Sequence, residues 1–362
     1  MLSCFILTNY SNFGILITTP TDREKRLKQG DFILMRGTYL MNHYSVKEIA
    51  EMINERSQSA ILGKKHVLDL AIISLLCGGH ILIDDVPGTG KTVLAKTFAK
   101  SLSLDFKRVQ CVPDMLPSDI VGVNFFDMKQ SEFRFIKGPV FTNILLVDEI
   151  NRAMPKTQSG LLECMEEHQV SVDGTTYPLA EPFMVIATQN PVETKGTFEL
   201  PEAQLDRFLV KTSMGYPTHT ENIDILALKL QNATGAASNT TAIDAECINE
   251  ARKELASVYV HRDLLDYAAT ICECTRSAKD VILGASPRAM IALVRVAQGY
   301  AAIAGRDYVL PDDIKCAAVP VLAHRIVFQN SFYHRGDLGK NLIESILDSV
   351  AVPSEQINFS RR

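Results

Sequence analysis

A lysine–threonine pair behind a glycine-rich loop is the first place in this sequence where residue types and spacing indicate chemistry. Residues 81–92 read ILIDDVPGTGKT, and a helix-compatible run follows at 93–100. A buried strand, a loop and a helix in this order are the context of a phosphate-binding loop. Gly88 and Gly90 allow main-chain N–H groups to approach phosphate oxygens, and the helix dipole presents its positive end to the same anion.

Each polar residue of this loop has an expected role. Lys91 would bind the β- and γ-phosphates of a nucleotide, and the Thr92 hydroxyl would bind Mg²⁺. Asp85 departs from the usual pattern, which has a glycine at that position. An ordinary glycine-rich turn is the alternative interpretation of the segment taken alone. The residues expected to contact the nucleotide are Val86, Pro87, Gly88, Thr89, Gly90, Lys91, Thr92 and Val93.

Polar residues at the ends of two further apolar runs supply the second half of the expected site. The run 144–147 is followed by Asp148 and Glu149, and the run 183–188 by Gln189 and Asn190. Parallel strands form ligand sites at their carboxyl ends. Asp148 would belong to the Mg²⁺ shell, and Glu149 would accept a proton from the attacking water. The Asn190 amide would bind that water or the γ-phosphate, although an asparagine before a proline is also a turn signal.

Two arginines are candidates for stabilising charge on a transferring phosphoryl group. Arg207 lies in the short segment 200–208, which is predicted to be helical, and Arg288 follows a helix start formed by Ser286 and Pro287. An arginine can serve a phosphoryl transfer in its own chain or in a neighbouring one. A surface ion pair is the alternative interpretation for either residue.

Composition limits the class of protein. The chain has 362 residues, 46% of them hydrophobic, which is enough for two globular domains. The net charge is −5, from 37 basic and 42 acidic residues, and does not indicate a broad nucleic-acid-binding surface. No apolar run reaches the length of about eighteen residues that predicts a membrane helix. Eight scattered cysteines favour a reducing, cytoplasmic location, and the pair Cys272 and Cys274 is weak evidence for a metal site.

The sequence predicts four parts along the chain. Residues 1–40 are apolar at first but lack the basic start of a secretory signal. We expect them to be an extension outside the fold, from an early assigned start codon, which N-terminal sequencing of the native protein tests. The other parts are a core at 41–230, a linker rich in Ala, Ser, Thr and Asn at 231–242, and a helical domain at 243–362.

Periodicity and turn residues predict the elements within these parts. Phe125, Phe126, Phe133 and Phe135 alternate with polar residues in one predicted hairpin, and an alternative is that they pack on the body of the core. No strand alternation stands out in the helical domain. Helices are predicted from Ser45, at 64–77, 91–103 and 155–168, from Thr218 to the linker, and at 260–275, 287–304 and 311–325; strands at 81–84, 107–111, 144–147 and 183–188; hairpins at 123–137 and 169–179.

Taken together, these motifs resemble those of the AAA+ ATPases, and specifically of the MoxR family. The resemblance extends from about Ser45 to Arg325 and goes beyond the general nucleotide-binding motifs. It is carried by the segments 114–122, 138–140, 148–153, 155–167, 187–191, 200–208 and 284–289 and by the pair His324-Arg325. The resemblance implies an α/β fold, with a three-layer αβα core around a parallel sheet and a smaller, all-helical lid.

The resemblance also implies roles for individual residues. The hairpin at 123–137 is similar to an insert that interrupts helix 2 and projects toward the pore of a ring, and the hairpin at 169–179 is similar to an insert before the sensor 1 strand. Lys91 and Thr92 match the Walker A pair, Asp148 and Glu149 the Walker B pair, Asn190 sensor 1, Arg207 the finger that reaches a neighbouring subunit's nucleotide, and Arg288 sensor 2.

The function implied is Mg²⁺-dependent ATP hydrolysis at subunit interfaces of a homo-oligomer, expected to be a hexameric ring. MoxR ATPases are expected to remodel partner proteins in the manner of a chaperone, often partners with a von Willebrand factor A domain. A magnesium-chelatase-like motor subunit is an alternative, although the residues at 150–155 and 284–287 favour MoxR. A nucleic-acid motor disagrees with the acidic charge, and Glu149 argues against a scaffold that only binds ATP. The sequence does not identify the client protein.

Overall fold

The chain divides into two units, residues 1–42 and 43–362, in the computed structural model. In the first unit, β1 (Phe5–Ile6) pairs antiparallel with β2 (Ile15–Leu16). The remainder of the predicted extension, the predicted linker at 231–242 and Pro87 lie outside the described residues. The structure describes residues 5–6, 15–16, 44–58, 61–86, 88–191, 196–230, 243–329 and 335–353.

The second unit consists of an α/β core followed by a lid. The core helices are α1 (Val46–Gln58), α2 (Lys65–Leu76), α3 (Lys91–Ser101), α4 (Pro117–Val121), α5 (Pro155–Glu167), α6 (Glu202–Leu205) and α7 (His219–Leu230). The core strands are β3 (Ile81–Asp84), β4 (Phe106–Gln110), β5 (Gly122–Asp127), β6 (Glu132–Lys137), β7 (Ile144–Asp148), β8 (Gln169–Val172), β9 (Thr175–Pro178), β10 (Met184–Gln189) and β11 (Val210–Thr212). The lid elements are α8 (Ala245–Ser257), α9 (Arg262–Ser277), β12 (Val281–Leu283), α10 (Pro287–Ile303), α11 (Pro311–Leu322), β13 (Val327–Phe328) and α12 (Arg335–Ser349).

A five-stranded sheet in the order β11-β3-β10-β7-β4 forms the middle layer of the core, and every neighbouring pair is parallel. The apolar runs of β3, β7 and β10 suit strands that helices cover on both faces. Because the strands are parallel, their carboxyl ends share one edge. This edge carries Asp84, Asp148 and Gln189, and the chain continues from it into the predicted site residues.

Two hydrophobic clusters pack against the two faces of the sheet, and the alternation of side chains along each strand divides them. Ile81 and Ile83 belong to one cluster, whereas Leu82, between them, belongs to the other. The first cluster also includes residues of α1, α2, α3 and the lid helices. The core therefore has the expected three αβα layers. The lid helices pack in the same hydrophobic cluster as α1, α2 and α3.

Among the elements that were not predicted from the sequence are β11, the β12–β13 pair and α8. β11 has three residues and β12 and β13 have three and two, so none is long enough to show an alternating pattern. The β12–β13 pair adds a short antiparallel sheet to the otherwise helical lid. The third is α8, whose N-cap Asp244 accepts a hydrogen bond from Cys247 N. No helix among the described residues is long and apolar enough to cross a membrane.

The two predicted hairpins are present and contact each other. β5 pairs with β6 and β8 with β9, both antiparallel. The Phe135 ring stacks on Tyr177 at a centroid distance of 4.2 Å, and Asn124 Nδ2 donates to Asp173 Oδ2 at 2.8 Å. Phe135 thus packs within the body, whereas Phe133 is 74% exposed. The alternative that these phenylalanines pack on the body of the core therefore holds for Phe135 and not for Phe133.

Candidate nucleotide site

The loop between β3 and α3 has the backbone conformation of an anion-binding loop. Gly88 and Gly90 have φ angles of +86° and +94°, which side-chain-bearing residues rarely adopt. A Cβ atom at Gly88 would meet no atom within 4 Å, so its backbone conformation, not lack of space, favours glycine there. Gly90 is the N-cap residue of α3, and the helix begins at Lys91. The unpaired N–H groups and positive dipole of the helix start therefore face the loop.

Lys91 extends across the carboxyl ends of β3 and β10. Its Nζ donates hydrogen bonds to Asp85 O at 2.6 Å and to Gln189 O at 3.4 Å. Burial lowers the pKa of Lys91, and the carboxylates of Asp85, Asp148 and neighbouring acids oppose this shift. The side chain is thus a cation held by two carbonyl oxygens beside the loop. Phosphate oxygens are stronger partners for it than carbonyls.

Asp148, at the end of β7, accepts hydrogen bonds from three side chains of the site. Its Oδ2 accepts from Thr92 Oγ1 at 3.3 Å and from Arg108 Nε at 2.7 Å, and its Oδ1 accepts from Thr188 Oγ1 at 3.2 Å. The predicted metal pair, Thr92 and Asp148, is therefore in direct contact. A hydroxyl beside a carboxylate is an all-oxygen donor set of the kind that Mg²⁺ prefers, so these residues fit the ion.

Glu149 has an uncommon backbone conformation for a residue with a side chain. Its φ of 57° and ψ of 50° are left-handed, which costs about 1–2 kcal/mol relative to the right-handed region. Its N–H donates to Thr188 Oγ1 at 3.0 Å, and Arg152 Nε contacts its carboxylate at 3.2 Å. Residues held in uncommon backbone conformations of this kind cluster at functional sites. Asn190 follows β10 at the same edge of the sheet. Its main-chain carbonyl oxygen accepts a hydrogen bond from Asn151 Nδ2 at 3.4 Å.

Asp85, the departure from the usual loop pattern, joins the loop to the segment after β11. One carboxylate oxygen accepts from Val86 N at 2.8 Å. The other accepts from Met214 N and Gly215 N, each at 2.9 Å. The residue is only 7% exposed. A glycine could not make these bonds, so the aspartate has a structural role: it fixes the start of the loop to the chain that leads to α7.

The two candidate arginines lie at the opposite edge of the sheet from Lys91. Leu209, two residues after Arg207, donates to His80 O just before β3, so Arg207 lies near the amino ends of the strands. Arg207 Nη2 is 3.1 Å from Glu166 Oε2, and Arg288 Nη1 is 3.0 Å from Glu166 Oε1. Each arginine thus forms an ion pair within its own chain. In the structure, Arg207 and Arg288 therefore lie close to each other and away from the loop between β3 and α3.

An ion pair between Arg325 and Asp206 attaches the lid to the core beside Arg207. Arg325, only 6% exposed, has its Nε 2.6 Å from Asp206 Oδ1. Its other nitrogens donate to the carbonyls of Phe208 at 2.7 Å and Leu209 at 3.1 Å, and also to Val321 O. His324 Nε2 lies 3.2 Å from Phe208 O. The His-Arg pair at the end of the resemblance therefore anchors the lid to the segment that carries Arg207.

Sequence reasoning placed five site residues at one edge of the sheet and did not find their immediate partners. Thr188 had a signal, because it lies near the end of β10, a parallel neighbour of β7, whereas Arg108 lies in the middle of β4. Glu166 had none, because its importance depends on two arginines distant in sequence.

Comparisons with known proteins agree with this geometry. The family model described as "ATPase family associated with various cellular activities (AAA)" matches residues 80–210, and the AAA lid domain matches residues 273–344. A crystal structure of a candidate ATPase from Cytophaga hutchinsonii superposes with a TM-score of 0.77 and 37% sequence identity, covering 85% of this chain and 96% of that one.

Whole-length relatives identify the family more narrowly. Chaperone MoxR1 from Mycobacterium tuberculosis is 38% identical over 82% of this chain and 80% of its own length. Protein MoxR from Paracoccus denitrificans is 31% identical over 81% of this chain and 93% of its own. YeaC from Bacillus subtilis is 44% identical over 83% of this chain and 94% of its own. With both matched domains in place and relatives of this length and identity, the chain belongs to the MoxR family of AAA+ ATPases.

Proposed function

We propose that this protein hydrolyses ATP where two copies of the chain meet, as one contact of a ring of six. One observation carries this proposal: the phosphate-binding edge and the arginine pair lie at opposite edges of one sheet. Arg207 and Arg288 therefore do not reach the loop of their own chain. In a ring, each copy would offer its arginines to the loop of the next, and hydrolysis would depend on assembly.

Within one loop, the chain's own residues bind and orient the reactants. Lys91 exchanges its carbonyl partners for the β- and γ-phosphates, and the main-chain N–H groups between Gly88 and Lys91 bind the phosphate oxygens. Glu149 accepts the proton of the attacking water, and Asn190 orients that water. Mg²⁺, held by Thr92 and Asp148, neutralises phosphate charge when bound. Arg207 and Arg288 of the neighbouring copy stabilise the charge on the transferring group.

Arg108 and Thr188 support this role of Asp148. Both donate to its carboxylate, and Thr188 also accepts from Glu149 N at 3.0 Å. One hydroxyl therefore fixes the positions of both acids relative to each other. Such positioning matters because most of the rate of a phosphoryl transfer comes from geometry and electrostatics.

Mixing two inactive variants tests the proposal. Arg207→Ala retains an intact loop, and Glu149→Gln retains intact arginines. We expect the mixture to hydrolyse ATP faster than the sum of the two separate proteins. The matched control mixes Arg207→Ala with a double variant, Glu149→Gln with Arg207→Ala, which offers no finger. Equal rates in the two mixtures would refute catalysis between copies.

We further propose that the ring remodels partner proteins, as the name of the mycobacterial relative, a chaperone, suggests. The exposed side chains of the first hairpin support a contact surface for such partners; Phe125 and Phe126 are 46% and 45% exposed. Glu149→Gln should trap partners in the presence of ATP, and a protein with a von Willebrand factor A domain is the expected class. Lys91→Ala is the control. Identical captures by both variants would contradict an ATP-dependent contact.

A further inference from the structure

Glu166 joins an arginine of the core to an arginine of the lid. One oxygen of its carboxylate is 3.1 Å from Arg207 Nη2 and the other is 3.0 Å from Arg288 Nη1. Arg207 belongs to the segment before β11, whereas Arg288 is in the first turn of α10. Among the contacts described above, Glu166 is therefore the side chain that links the guanidinium groups of Arg207 and Arg288.

The surroundings of Glu166 are strongly cationic. A cleft of about 220 Å³ is lined by Arg207, Arg288, Arg295 and Arg325, with Glu166 and Asp206 as its acids. Asp206 is already bonded to Arg325 at 2.6 Å. Glu166 is thus the carboxylate that faces the arginine pair. Without it, two neighbouring guanidinium groups would repel each other and lose their shared partner.

The location of Glu166 also links this pair to the chain's own nucleotide loop. Glu166 is in the last turn of α5, and that helix begins shortly after Glu149 and the turn at Ile150–Arg152. The 13 residues of α5 extend about 20 Å from the loop edge to the arginine edge, at 1.5 Å per residue. α5 therefore connects the loop edge of the sheet to the arginine edge.

We propose that Glu166 is a positioning residue that holds Arg207 and Arg288 side by side, so that both meet the triphosphate of a neighbouring copy together. On contact, the phosphate oxygens replace the carboxylate, because guanidinium groups bind phosphate and carboxylate with the same paired geometry. This inference rests on the proposed function, since it concerns how one copy serves the loop of the next.

The test mixes two kinds of chain variant: an acceptor, which has an intact loop but lacks Arg207, and a donor, which supplies its arginines to the acceptor's loop. The acceptor is Arg207→Ala, and the reference donor is Glu149→Gln, which has a disabled loop and intact arginines. The test donor adds Glu166→Gln to Glu149→Gln. The matched control donor adds Glu163→Gln instead, an exposed acid one turn earlier on α5. ATP turnover is measured at saturating ATP and divided by the amount of mixed ring, counted by native mass spectrometry.

We expect the Glu166→Gln donor to restore at least five-fold less turnover per mixed ring than the reference, and the Glu163→Gln donor to equal the reference. Glu166→Asp, which keeps the charge but is too short to bridge, should also restore less. Equal or greater turnover with either Glu166 donor overturns the inference. Failure of the reference donor itself would instead refute catalysis between copies.

A second measurement separates positioning from a general loss of structure. In the single variant Glu166→Gln, the turnover number should fall about as much as in the mixture, while the KM for ATP changes less than two-fold. The loop that binds ATP lies at the other edge of the sheet, so its affinity should not change. A large rise in KM with an unchanged turnover number would contradict a positioning role.

Discussion

At the scale of single residues, Lys91 offers the most direct prediction. Its ammonium group is bonded to two carbonyls beside the loop and is the cation nearest to where phosphate would bind. Lys91→Ala should weaken ATP binding about 100-fold or more, equivalent to about 3 kcal/mol, by removing a charge-assisted contact. Titration calorimetry measures the dissociation constant. Lys96→Ala, an exposed lysine on the same helix, is the control and should bind ATP normally.

Asp85 leads to a prediction about stability. Its carboxylate accepts three main-chain N–H groups, two of them from Met214 and Gly215. Asp85→Asn removes the charge and turns one acceptor into a donor, leaving buried N–H groups without a partner. The free energy of unfolding should fall by about 1–3 kcal/mol. Urea unfolding measures this, with the exposed Asp114→Asn as control. An unchanged midpoint in Asp85→Asn would show that the loop does not depend on this connection.

How well the site could be predicted also depends on the kind of residue. Asp148 and Glu149 were found because they lie at the end of a strand whose pattern is local, and Lys91 and Thr92 because they follow a glycine-rich loop. Glu166 was not found, because its contacts involve residues 41 and 122 positions away. Asp85 was noticed as a departure, but only the structure gives the reason, since Met214 and Gly215 come near through the pairing of β11 with β3.

At the scale of elements, a buried histidine makes the seam between β3, α5 and β10 sensitive to pH. His80 Nε2 donates to Met165 O at 2.9 Å, and Nδ1 accepts from Val185 N at 3.0 Å, so the ring is neutral. Burial lowers the pKa of His80 to about 4. Its unfolded pKa is about 6.5, so below that pH the unfolded chain binds more protons and stability falls.

This shift gives a measurable difference between pH values. From about pH 7.5 to pH 5, His80 should reduce the free energy of unfolding by about 2 kcal/mol. His80→Gln should lose this part of the pH dependence, whereas the part from His324, whose pKa burial also lowers, should remain. Urea unfolding at both pH values measures the two differences. The same pH dependence in His80→Gln and the unsubstituted protein would contradict the lowered pKa of His80.

The attachment of the lid depends on Arg325, which ties the end of α11 to the segment before β11. It is bonded to Asp206 and to the carbonyls of Phe208 and Leu209. Arg325→Ala leaves the half-buried Asp206 carboxylate and the carbonyls of Phe208 and Leu209 without this partner, which should cost about 1–3 kcal/mol of unfolding free energy. Differential scanning calorimetry should show a clear fall in midpoint temperature. Arg262→Ala, at an exposed position on α9, should change it little.

Most long elements were predicted, with the exception of α8, whereas the strands of two or three residues in the core and lid were not. The predicted helix 155–168 corresponds to α5, and the predicted hairpin at 169–179 to β8 and β9. β11 has three residues and becomes a strand only because β3 lies beside it. Likewise, β12 and β13 pair although α10, α11 and their connections lie between them in the chain. Tertiary contact, not local preference, decides such elements.

At the scale of the whole molecule, the distance between the two edges of the sheet predicts how activity depends on concentration. The loop uses Lys91 of its own chain, whereas the charge-stabilising arginines would come from another copy. ATP turnover per chain should therefore fall as the protein is diluted through its assembly range, while the dissociation constant for ATP stays nearly constant. Arginines supplied to a phosphoryl transfer are worth about 10³–10⁵ in rate, so the fall should be large.

Light scattering during the same dilution measures the assembly state, and turnover should follow it. The double variant Arg207→Ala with Arg288→Ala provides the control, because it supplies neither arginine to a neighbouring copy and its low turnover should not depend on concentration. A monomeric fraction with undiminished turnover per chain would require a cation of the same chain to reach the loop. Arg207 and Arg288 could do so only by leaving Glu166 and moving along the length of the strands to their carboxyl ends, which the Arg325–Asp206 attachment of the lid opposes.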